Sequence, residues 1–200
     1  MKDTGYWPYD TCLQYEACSS ESTEGHCGAK DADFTCSAIN TCRTCSTFSS
    51  SGGFCSGIST FPNATIAEYG NVKGADSMMA EIYARGPIAC TVDATPLHKY
   101  PGGIFDDPTA SKGTNHIISI VGWGTDAASG NKFWIVRNSW GEFWGELSYF
   151  RIKMGENQLG IEGSCNWATP AAWTEHNTAC FEDGTNCVKT ATYTDPSQRV

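Results

Sequence analysis

Two polar side chains of complementary chemistry, His116 and Asn138, stand at the ends of two apolar runs, and Trp140 follows the second after two residues. An imidazole held at one ring nitrogen by a neutral amide keeps a fixed tautomer and offers its other nitrogen to a thiol proton. That is the base half of a Cys-His-Asn arrangement. An indole laid over the His–Asn bond would keep water from it. Taken singly, the plainer reading is a satisfied strand-edge histidine and a turn-forming asparagine.

The elements around them must therefore bring the pair together. His116 opens NHIISIVGWG, in which Ile118, Ile120 and the Trp123 side alternate with Ile117, Ser119 and Val121 before Gly122 and Gly124. This is the pattern of a half-buried strand. Asn138 closes KFWIVRN, where Phe133, Trp134, Ile135 and Val136 favour a strand and Gly141 and Gly145 follow as breakers. The polar stretch TDAASGN between the runs makes them a hairpin, so the head of one strand and the tail of the other share a sheet edge.

The chain has 200 residues, 40% of them hydrophobic and 12% aromatic, enough for a core of about one domain. It contains no 18-residue apolar stretch that would span a membrane. A net charge of −9 leaves no basic patch, so neither nucleic acid nor an anionic membrane surface is expected as a partner. Eleven cysteines, an odd number, point to disulfides and an oxidising compartment. No charged-then-apolar leader follows Met1, and the expectation is that the chain lacks its real beginning.

Residues 1–60 hold seven of the cysteines among Ser, Thr, Gly and Asp, too few aliphatic side chains for a core, so this segment must be stapled. Cys42-Arg43-Thr44-Cys45 could mark a zinc knuckle or a redox pair, but no second CxxC lies at ligand spacing and disulfides are the expectation. Asn63-Ala64-Thr65 is a glycosylation sequon. GADSMMAEIYARGP predicts a helix capped by Asp76, with Met78, Met79, Ile82 and Tyr83 as its core stripe and Gly86-Pro87 as its stop. A short strand over 88–92 and a turn at KYPGGIF should follow. After Trp173 no apolar period remains, which predicts an appended tail, closed by a disulfide or partly disordered.

NHIISIVGWG followed by WIVRNSWGEFWG resembles the His and Asn motifs of papain-family cysteine peptidases, and GYWPYDTC looks like the Tyr-Pro-Tyr segment midway along such chains. Within that family the likeness is to the cathepsin X (cathepsin Z) group, over roughly residues 6–170. The resemblance implies an α+β fold: the second, mainly β domain of a papain-like fold at 61–173, a cysteine-rich end of the first domain at 1–60, and a tail at 174–200. It implies His116 as general base or imidazolium partner, Asn138 as its orienting group and Trp140 as the shield. No cofactor or metal is implied; peptide or protein substrates, a monomer and a lysosomal or extracellular location are.

The nucleophile of that family sits in Gln-x-x-x-x-x-Cys-Gly-Ser-Cys-Trp at the start of a long helix, and no such word occurs here. Gly163-Ser164-Cys165-Asn166-Trp167 is a look-alike, but it follows the Asn motif, lacks the upstream Gln and precedes Pro170. Cys165 is therefore expected to be structural and the chain alone inactive. Two classes remain: a cysteine peptidase of which this is a fragment, by the same likeness a carboxypeptidase, or a non-catalytic disulfide-rich binding or structural domain derived from one. The resemblance further implies the pairs Cys12–Cys42 and Cys45–Cys55. It leaves Cys18–Cys27 as a local loop, Cys90 within reach of Cys165, Cys180–Cys187 closing the tail, and Cys36 unpaired, its partner expected upstream of Met1.

Overall fold

Residues 5–13, 15, 35–46 and 54–174 are described by the computed structural model. The expected Cys18–Cys27 and Cys180–Cys187 pairs and nearly all of the tail lie outside the described residues. The chain divides into two units, residues 1–66 with 170–200, and residues 67–169.

The first unit contains β1 (Trp7–Pro8), α1 (Ala38–Thr41), β2 (Arg43–Ser46), β3 (Phe54–Gly57) and the start of β4 (Asn63–Val72). β1 pairs antiparallel with β4, Trp7 opposite Ala64. β2 and β3 form a two-stranded ribbon in which Cys45 faces Cys55, and these two are bonded. Cys12 is bonded to Cys42, which is buried with Ile58 in a small cluster that Phe61 packs against. A cluster this small cannot offset the entropy of ordering its loops, so the disulfides do much of that work by restricting the unfolded chain. The CxxC cysteines thus have different partners and form no redox pair with each other. Cys36 is exposed and forms no disulfide among the described residues.

The second unit continues with α2 (Ala75–Arg85), β5 (Ile88–Val92), β6 (Ile104–Phe105), β7 (His116–Thr125), β8 (Lys132–Arg137), β9 (Tyr149–Lys153) and β10, whose whole span is Cys165–Trp173. Its strands run in the order β4-β10-β5-β7-β8-β9-β6, with β6 parallel to β9. One helix on a mainly antiparallel sheet makes this an α+β, mainly β architecture. Ile118, Ile120, Trp134, Val136, Phe150 and Ile152 fill the core, and α2 lays Met78 and Ile82 against it.

The α2 stripe is narrower than its sequence suggests. Tyr83 is 87% exposed, so Met78 and Ile82 carry the contact with Met79 half-buried beside them. Asp76 sits inside the first turn rather than at the cap, which is Gly74 with no side-chain bond. Its carboxylate there still complements the positive end of the helix.

A bulge in β7 shapes the hairpin. Ile120 pairs with Val136 but Gly122 with Ile135, so Val121 is the extra residue. Insertion of one residue exchanges the faces, which places Trp123, an odd position, opposite Trp134 on the face of Ile118 and Ile120. Buried Glu162 ties the far side of the core. It accepts from the Trp134 indole at 2.8 Å and from the amides of Gly155 at 2.7 Å and Asn157 at 3.0 Å.

Candidate active site

His116 is the first residue of β7, and its register partner on β5 is Val92. Asn115, just before it, is tied to the end of β5: its Oδ1 accepts from the Ala94 amide at 2.9 Å and its Nδ2 donates to Thr95 Oγ1 at 3.2 Å. Asp93 accepts from the Thr95 amide at 3.0 Å, and that bond holds its carboxyl below the usual carboxylate range. The backbone at the head of β7 is therefore pinned before the imidazole begins.

Asn138 follows β8, its own amide donating to Ser148 O at 2.9 Å. Its side chain is buried, and Oδ1 stands 2.9 Å from His116 Nε2 and 2.8 Å from the amide of Ser139. A backbone amide can only donate, so the atom facing Ser139 must be the oxygen. An amide oxygen can only accept, so Nε2 must carry the proton of the neutral ring. Nδ1 is left with its lone pair. Nδ2 of Asn138 is buried without a hydrogen-bond partner among the described residues, and a flipped amide would set that donor against the Ser139 N–H.

Trp140 packs against His116, its ring centroid 5.1 Å from that of the imidazole and tilted by 33°. Trp144 meets Trp140 edge-on at 4.9 Å and itself packs against Tyr100 and Phe150. The loop permitting this turns at Gly145, where φ is +59° and a Cβ would fall 2.6 Å from Tyr149 O. A cavity of about 630 Å³ opens beside Asn138, with Ile117 and Leu147 exposed in its wall.

Cys165, by contrast, begins β10, is fully buried and is bonded to Cys90, its register partner on β5. A sulfur in that state is no nucleophile. Asn63 of the sequon begins β4, where its Nδ2 donates to Phe61 O and its backbone is bonded to Thr174. Among the described residues no cluster of three or more His, Cys, Asp or Glu side chains could hold a metal ion.

The sequence pattern of "Papain family cysteine protease" matches residues 17–170. The chain belongs to the papain family. Among its papain-family relatives, a Cathepsin Z of Onchocerca volvulus is 39% identical over 173 residues, covering 82% of this chain and 50% of the relative. A "Gut-specific cysteine proteinase" of Caenorhabditis elegans is 39% identical over 100 residues, 50% of this chain and 30% of that one. "Fruit bromelain" of Ananas comosus is 46% identical over 99 residues, 48% of this chain and 27% of that one. The chain thus spans half or less of the length of these papain-family relatives.

Three parts of the site carry no sequence signal of their own. Asn115 reads as a flanking polar residue, the Ser139 amide has no side-chain signature, and His98, whose ring lies on Trp140, sits in a short turn without periodicity.

Proposed function

We propose that this chain supplies the imidazole half of a cysteine-type peptidase of the cathepsin Z kind, a carboxypeptidase acting as a monomer in the lysosome or outside the cell. The observation carrying this reading is the doubly engaged Asn138 Oδ1, which holds His116 as the Nε2–H tautomer and leaves Nδ1 free. A thiol beside Nδ1 loses its proton to it, and the thiolate adds to the peptide carbonyl. As the C–N bond breaks, the imidazolium returns the proton to the leaving amine. Water then attacks the thioester as Nδ1 takes its proton, the C–S bond breaks to release the carboxylic acid, and the imidazolium returns the proton to the sulfur. The Gln and Cys-Gly-Ser-Cys-Trp word that would bring the thiol is absent from these 200 residues, so the chain alone should not turn over peptide. The three disulfides among the described residues support an oxidising location.

Coexpression with the nucleophile-bearing segment of a cathepsin Z relative tests the reading. Thiol-dependent release of single carboxyl-terminal residues, abolished by His116→Ala, is the expected result. A complex that binds peptides without cleaving them, whether or not His116 is present, would favour the non-catalytic domain instead.

A further inference from the structure

His98 belongs to the 3-10 turn Pro96–Lys99, which neither motif contains. Its exposed imidazole lies parallel to the Trp140 indole, centroids 4.7 Å apart and planes 4° apart. Among the described residues the His98 ring makes no hydrogen bond and no ion pair. The stack is its one specific contact, while the same indole meets His116 at 5.1 Å.

The turn carrying His98 is fixed to the residue before His116. Asn115 Nδ2 donates to Thr95 Oγ1 at 3.2 Å, and Pro96 starts the turn directly afterwards. Buried Leu97 and Tyr100 anchor its two sides to the core. Asn115 thus joins the start of the turn that carries His98 to the residue before His116, and both imidazoles lie against one indole. Trp144 meets that indole edge-on, at 82°, and the parallel contact comes from His98. Parallel aromatic pairs are attractive, and an indole restrained in this way moves less than one restrained at its edge alone.

We propose that His98 is a positioning residue: its stack on Trp140 presses the indole toward the His116–Asn138 bond and slows access of water to the Nε2 proton. The proposal rests on the reading of His116 and Asn138 as base and orienting group. A looser indole admits water to Asn138 Oδ1, and the tautomer that keeps Nδ1 basic is then held less firmly.

The test uses chain 1–200 labelled with 15N-histidine, with the His116 signals assigned by their loss in His116→Gln. Exchange of the His116 Nε2 proton with water is compared at one pH in the parent chain, His98→Ala, His98→Phe and Asn138→Ala. Loss of one aromatic pair corresponds to exchange faster by roughly two- to tenfold in His98→Ala, at an unchanged melting temperature. His98→Phe, which can stack but not titrate, should restore the parent rate, and Asn138→Ala should abolish the protected signal. Parent-like exchange in His98→Ala, or His98→Phe behaving as His98→Ala does, overturns the positioning role and leaves the His–Asn pair standing. A parent chain without a protected proton, or an Asn138→Ala chain that retains one, overturns the pair and this inference with it.

Discussion

His116 Nε2 stands 2.9 Å from Asn138 Oδ1, an oxygen that also receives the Ser139 amide at 2.8 Å. The second bond makes the first directional, since it forbids the flipped amide. In the coexpressed peptidase, Asn138→Ala should lower kcat by up to about a hundredfold, part of the 10²–10⁴ that acid–base catalysis contributes. KM should change little. A variant with parent kcat would remove Asn138 from the mechanism.

The chain by itself should be silent toward peptides and toward epoxide electrophiles that need a histidine-activated thiol. Cys165 is bonded to Cys90 and fully buried, and among the described residues exposed Cys36 is the cysteine left to react, and then only with general alkylating agents such as iodoacetamide. Rapid epoxide labelling mapped to Cys165 by mass spectrometry would contradict this.

Acid should loosen the backbone before His116 through Asp93. Its carboxyl lies below its ordinary value chiefly because the Thr95 amide donates to it, with the Thr95 hydroxyl next in weight. A carboxyl depressed in the folded state adds stability above the unfolded value of about 3.9 and loses it as pH falls through the folded value. Asp93→Asn should therefore flatten the decline of melting temperature below about pH 4. An equally steep decline in both proteins would mean that Asp93 is not coupled to folding.

Glu162 should be costly to remove. Its carboxylate satisfies the Trp134 indole and the amides of Gly155 and Asn157, and it is itself buried. Of the three donors the Trp134 indole is the buried one, and a buried donor left unpaired costs about 1–3 kcal/mol, so Glu162→Ala should lower unfolding free energy by about 2 kcal/mol in urea titration. A loss below about half that would show that water replaces the carboxylate.

Much of this arrangement is written locally. β7 and β8 carry dense apolar runs flanked by glycines, and α2 is bounded by Gly74 and by Gly86-Pro87. Their positions therefore follow from period and punctuation, and with them the approach of His116 to Asn138. β4 and β10 are different: NATIAEYGNV and CNWATPAAW mix small, polar and glycine or proline residues. Their ladder joins residues about a hundred positions apart, as where Thr65 bonds Ala172, and no short window holds that information. Tyr83 misleads because it fits the spacing of a stripe while the sheet reaches only as far as Met78 and Ile82. The His98 stack is invisible for a related reason, since it depends on where a turn and a loop meet in space.

The tautomer of His116 tests the central claim most directly. The 15N chemical shifts of its two ring nitrogens at neutral pH should show a protonated, pyrrole-type Nε2 and an unprotonated, pyridine-type Nδ1, with that preference lost in Asn138→Ala. A ring protonated at Nδ1, or one averaging between tautomers as free histidine does, would contradict the assignment of His116 as a base oriented by Asn138.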